Sequence, residues 1–155
     1  MTQFNFRFQK ILDLKGNEKG FAQIQMADAI KQQEAGHQRN SVIYQKLAEA
    51  EHMKKEKQED GVNISELRML VNYIHQLQEQ LLSSNRELER LQNNVARSQN
   101  NLQEKAQEEK TWDNLKQHKA DLFHEQNKVI EQNFFDELAS TRFYRTSQSN
   151  IAERG

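Results

Sequence analysis

The chain has 155 residues, is 29% charged and 35% apolar, and contains neither proline nor cysteine. Disulfides and cysteine-based metal sites are excluded, and a net charge of −1 provides no field to gather nucleic acid or an anionic membrane. No apolar run approaches the roughly 20 residues that cross a bilayer, and the N-terminus lacks the apolar stretch of a signal peptide. A soluble, intracellular protein of one domain is expected. The apolar fraction is low for a thick globular core, but a proline-free chain rich in Gln, Glu, Lys and Leu favours long helices.

Phe4, Phe6 and Phe8 recur at period two in the opening segment. They read either as an extended lead-in whose rings fold onto the first helix or as exposed aromatics held for a partner. From about residue 7 to 59 the pattern is helical. Phe8, Ile11, Leu12, Phe21, Ala22, Met26, Ala29, Ile43, Leu47, Ala50 and Met53 form a thin stripe. The stripe nearly vanishes between Lys31 and Ser41, where Gly36 also lowers helix propensity, so the helix there is expected to pack loosely or to bend. Gly16 and Gly20 are similar weak points.

Asp60-Gly61 marks a bend spanning residues 60–63. Gly61 suits the left-handed conformation that ends a helix. Asn63 with Glu66 matches a capping box, and Val62 with Leu67 a hydrophobic staple. A second helix is expected over about 64–140. Its seam is the most regular feature of the chain. Alternating steps of three and four from Leu67 reach Leu70, Ile74, Leu77, Leu81, Ser84, Leu88, Leu91, Val95, Ser98, Leu102, Lys105, Glu109 and Trp112. This is the coiled-coil period, which keeps one narrow seam facing a partner helix. A disordered chain would not sustain it.

A connection this short turns the two helices back beside each other, giving an all-α antiparallel coiled-coil hairpin. With the bend centred near residue 62, position i faces roughly position 124 − i. Ile43 then meets Leu81, Leu47 meets Leu77, Ala50 meets Ile74 and Leu12 meets Trp112. The first arm is used up near residue 120, so the second helix overhangs. Leu122, Phe123, Val129, Ile130, Phe134, Phe135 and Leu138 continue at helical spacing without a partner in the chain, unless the N-terminal phenylalanines cover them. An exposed apolar stripe of this size marks a binding surface. Residues 141–155 read as a flexible polar tail carrying Arg142, Arg145 and Arg154.

Catalytic chemistry is not expected. No two of His37, His52, His75, His118 and His124 share the helical spacing of a metal site, and His118 with Asp121 reads as surface. No phosphate-binding glycine loop or nucleophile motif is present, and Glu104, Glu108 and Glu109 lie among lysines as helix-surface pairs. No cofactor is expected.

The opening FNFRFQKILDLKGNEK, the post-bend stretch SELRMLVNYIHQLQEQL and the late DELAS segment resemble the FliJ family of the flagellar type III export apparatus. The resemblance covers most of the chain. It implies a two-helix stalk inside the hexameric export ATPase, linking that ring to the membrane-embedded export gate and helping to recycle export chaperones. It also implies a place in the cytoplasm, peripheral at the inner face of the cell membrane, with no insertion into the bilayer. The family's gate-binding positions match Tyr73 and Leu77, although Leu77 is also a seam position. The next two, a small apolar residue and a histidine, are here Gln80 and Ser84, a departure from the pattern. The overhang would supply the end that enters the ring, with Phe123, Ile130, Phe134, Phe135 and Arg142 contacting the ATPase and Phe4, Phe6 and Phe8 nearby. The alternatives are a structural coiled coil that homo-oligomerises through the same stripe and an adaptor for export chaperones.

Overall fold

A computed structural model describes residues 3–154. Two helices hold nearly all of them: α1, Gln9–Asp60, and α2, Ile64–Arg154. They form an antiparallel hairpin in which α2 is the longer arm.

The bend follows from Gly61, the one described residue with a left-handed backbone (φ 74°). A side chain there would crowd the following carbonyl, a strain glycine avoids. The conformation lets the Val62 N–H reach back to the Lys57 carbonyl at 3.2 Å, the six-to-one bond of a Schellman motif. Asn63 then opens α2: its carbonyl accepts from the Leu67 N–H at 3.2 Å, the bond expected of an N-cap residue. Val62 and Leu67 are both half-buried, as a staple requires. Glu66 adds a contact not foreseen, with its carboxylate 3.9 Å from Lys57 Nζ across the bend.

Contacts divide the chain into two compact units. The first holds Gly16–Gln107. On α2 every position of the expected row within this unit, from Leu67 to Lys105, is buried or half-buried. Its densest part is Ala50, Ile74 and Leu77, flanked by Leu47 and Leu70. The expected register holds: Ala50 meets Ile74, Asn40 meets Ser84, Gly36 lies against Leu88, and Glu18 pairs with Lys105 at 3.5 Å.

The stretch Lys31–Ser41 is neither loose nor bent away. The α1 seam runs through it unbroken as Ala29, Gln33, Gly36, Asn40 and Ile43, all turned from solvent. What disappears is hydrophobicity, not packing. Gly36 is small enough for Leu88 and Leu91 to lie on the helix backbone itself. Asn40, only 7% exposed, spends both amide hydrogens on α2, donating to Ser84 Oγ at 3.1 Å and Asn85 Oδ1 at 2.8 Å. A buried amide is tolerated more readily when both of its N–H groups are bonded in this way.

The second unit holds the residues up to Lys15 and those from Glu108 onward. Phe4 lies on Phe123 with ring centroids 5.6 Å apart, Phe6 meets Phe8 at 5.9 Å, and Phe8 meets Trp112 at 5.8 Å. Trp112 thus receives the ring of Phe8, one turn before the expected Leu12, which is itself half-buried. Phe6 is buried, and Lys15 pairs with Glu108 at 3.1 Å. The N-terminal rings therefore fold inward as far as Phe123. Beyond Asn127, every described α2 residue except Ser147 is exposed.

α2 does not stop near residue 140. It continues helical to Arg154, and the expected irregular tail is its last turns. The serines and threonines there return their hydroxyls to the helix: Thr141 to the Glu137 carbonyl at 2.8 Å, Thr146 to Arg142 at 2.9 Å, and Ser149 to Thr146 at 2.9 Å. A polar segment without Pro or Gly can satisfy its side chains inside the helix, so polarity alone did not signal an end.

Candidate functional site

Two surfaces hold the residues singled out in the sequence. The first is the exposed length of α2 in the second unit. Ile130, Phe134 and Phe135 are more than half exposed, with Val129 and Leu138 beside them. Phe134 and Phe135 pack edge to face at 6.1 Å, which leaves their remaining faces in water. Arg142 is exposed one turn further on. Phe143, Tyr144 and Ile151 are exposed further along α2. The structure separates this set from Phe4, Phe6, Phe8 and Phe123, whose rings serve one another and Trp112. Of that inner cluster, Phe8 keeps an open face, with the Arg7 guanidinium 5.6 Å above its ring.

The second surface lies in the first unit, along one flank of the hairpin. Tyr73 is 44% exposed, whereas Leu77, one turn later, is 3% exposed and belongs to the Ala50–Ile74 cluster. The tyrosine is open to solvent, whereas the leucine helps to hold the two arms together. Further along the same helix, Gln80, Ser83 and Ser84 border a groove of about 640 Å³ that also touches Gly36, Ile43, Arg39, Arg86 and Arg90. Glu87 sits among these arginines, its carboxylate bonded by Arg90 Nε at 3.0 Å. That hydrogen bond lowers the Glu87 pKa, and the charges of Arg90 and Arg39 act in the same direction. In return Glu87 raises the pKa of Arg90. The pair is therefore ionised at neutral pH.

No single stretch of sequence marks this groove. The signal was present, because placing position i opposite 124 − i sets Asn40 against Ser84, and the two arms then bring Arg39 beside Glu87. Among the described residues no three His, Cys, Asp or Glu side chains gather to hold a metal ion, and no helix is long and apolar enough to cross a membrane.

Comparison with known proteins gives one match. The family model described as Flagellar FliJ protein matches residues 4–148. No curated protein matches the chain, and no solved structure does. The match extends from the first of the packed phenylalanines, through both arms and the bend, into the exposed end of α2. The chain belongs to the flagellar FliJ family, components of the flagellar export apparatus.

Proposed function

We propose that the protein is a non-catalytic coupling component of the flagellar type III export machine. In this reading the free end of α2 enters the ring of the export ATPase, the Tyr73 flank meets the membrane-embedded export gate, and the protein assists recycling of export chaperones. It works in the cytoplasm at the inner face of the cell membrane. The observation that carries the reading is the apolar length of α2 around Ile130, Phe134, Phe135 and Leu138, which α1 does not cover. A helix with its side chains is about 10–12 Å across, thin enough for a narrow central channel. Apolar side chains left in water at such an end gain by burial in a second protein. Arg142 adds a charge at the same surface. Phe4, Phe6, Phe8 and Phe123 form a separate ring cluster ahead of that surface, and of these Phe8 reaches the ATPase directly.

The test replaces Phe134 and Phe135 with aspartate in the full chain. Interface aromatics of this kind contribute about 2 kcal/mol or more, so ATPase binding is expected to weaken by at least about 30-fold. Stimulation of ATP hydrolysis falls with it. Circular dichroism is expected to stay unchanged, because neither ring packs on α1. Unaltered binding and stimulation would remove the ring-docking reading. Loss of self-association, with ATPase binding intact, would favour a homo-oligomeric scaffold.

A further inference from the structure

The groove beside Gly36 is an unused feature of the first unit. Its floor is the seam itself, where Leu88 and Leu91 lie close against Gly36. Its walls are polar and basic. Arg39 comes from α1, Arg86 and Arg90 from α2, and all three side chains are exposed. Only Arg90 is neutralised by a direct bond, to Glu87. Three guanidinium groups against one carboxylate leave a local excess of positive charge on a chain whose net charge is −1.

We infer that this groove binds an acidic segment of a partner protein, with Arg39 and Arg86 as the groups that receive its carboxylates. Several features point to a carboxylate. A guanidinium presents a rigid fork of donors that fits a carboxylate with two parallel bonds. Serine hydroxyls at Ser83 and Ser84 and the Gln80 amide stand along the same wall, able to bond the backbone of a segment laid in the groove. The Glu87 carboxylate breaks the basic wall, which favours a segment with spaced acidic side chains over a continuous polyanion such as nucleic acid. Arg90 is already committed, so it orients Glu87 and leaves Arg39 and Arg86 free to recognise the partner.

The inference deepens the proposed gate contact and rests on that reading for the partner, because Gln80 and Ser84 continue the α2 flank that starts at Tyr73. Its chemistry can be judged separately. Two probes would be titrated against the full chain by fluorescence anisotropy at low and at physiological salt: the purified cytoplasmic portion of the export gate protein, and a short peptide of alternating glutamate and serine. The variants are R39E/R86E, R39K/R86K and Y73A. The charge reversal is expected to weaken both probes at least about tenfold and to flatten their salt dependence, as loss of complementary charge does. The lysine pair is expected to restore part of the binding, since it keeps the charge without the fork. Far-ultraviolet circular dichroism confirms that the exposed substitutions leave the helices intact. The inference is overturned if the unaltered chain ignores the peptide, or if R39E/R86E binds either probe as the unaltered chain does. The gate reading is judged by the other arm. It falls if the gate portion does not bind, or binds Y73A unchanged, whatever the arginines do.

Discussion

Leu77→Ala lowers the unfolding free energy by about 2–5 kcal/mol, the range for truncating a buried leucine. Leu77 is 3% exposed and shares its cluster with Ala50 and Ile74, flanked by Leu47 and Leu70. A two-helix interface has no second layer to collapse into the space, so both the lost burial and the residual cavity count. For a chain of this size the melting temperature should fall by about 2–4 °C for each kcal/mol, read by thermal denaturation at 222 nm. A drop below that of an exposed control such as Leu82→Ala would show that the seam does not hold the arms together. The result also bears on the gate contact. Any loss of gate binding in Leu77→Ala should track the unfolded fraction, whereas loss in Tyr73→Ala should leave the melting curve in place, because Tyr73 faces solvent.

The second large effect lies at Gly36. Replacing a mid-helix glycine ordinarily stabilises by up to about 1 kcal/mol. Here the sign reverses for any sizeable side chain. A Cβ at this position stands 2.7 Å from Leu91 Cδ1 and 3.1 Å from Leu88 Cδ2. Gly36→Leu must place further carbons where those methyl groups lie, and overpacking of that kind costs roughly 1–3 kcal/mol or more. A net loss of up to about 2 kcal/mol is expected after the propensity gain is subtracted. Gly36→Ala stays within about 1 kcal/mol of the parent, because the nearest atom is the end of a side chain that can turn aside. Chemical denaturation of the three proteins decides the matter. If the leucine variant matched the parent, the close approach at Leu88 and Leu91 would not exist in solution.

These two positions show what hydropathy reveals and what it hides. Leu77 was legible because a run of leucines at alternating steps of three and four has one geometric meaning. The bend was legible for a related reason: Gly61, Asn63 and the Val62–Leu67 pair each have a local conformational role. Gly36 and Asn40 occupy the same seam on α1, yet one has no side chain and the other is polar, so the stripe faded although the packing continued. The end of α2 was misplaced because Thr141, Thr146 and Ser149 make a segment look irregular while bonding back to its own carbonyls. The inward fold of Phe4, Phe6 and Phe8 is not legible in the sequence, since three rings at period two fit a packed or an exposed role equally well. The arginines around Glu87 were invisible singly. They become a feature only when two distant parts of the chain are superposed.

The Gly61 turn also dictates the order in which the molecule assembles. Partners near it are close in sequence and close cheaply, whereas Asn40 and Ser84 are 44 positions apart and Lys15 and Glu108 are 93 apart. The entropy of bringing ends together rises with the loop between them, and each closed layer shortens the loop left for the next. Zipping therefore starts beside the turn and travels outward, and the aromatic cluster at Phe4 and Trp112 latches last. Reversed, the same sequence of events makes that latch the first to open, visible as the earliest amide exchange in α1 before Lys15.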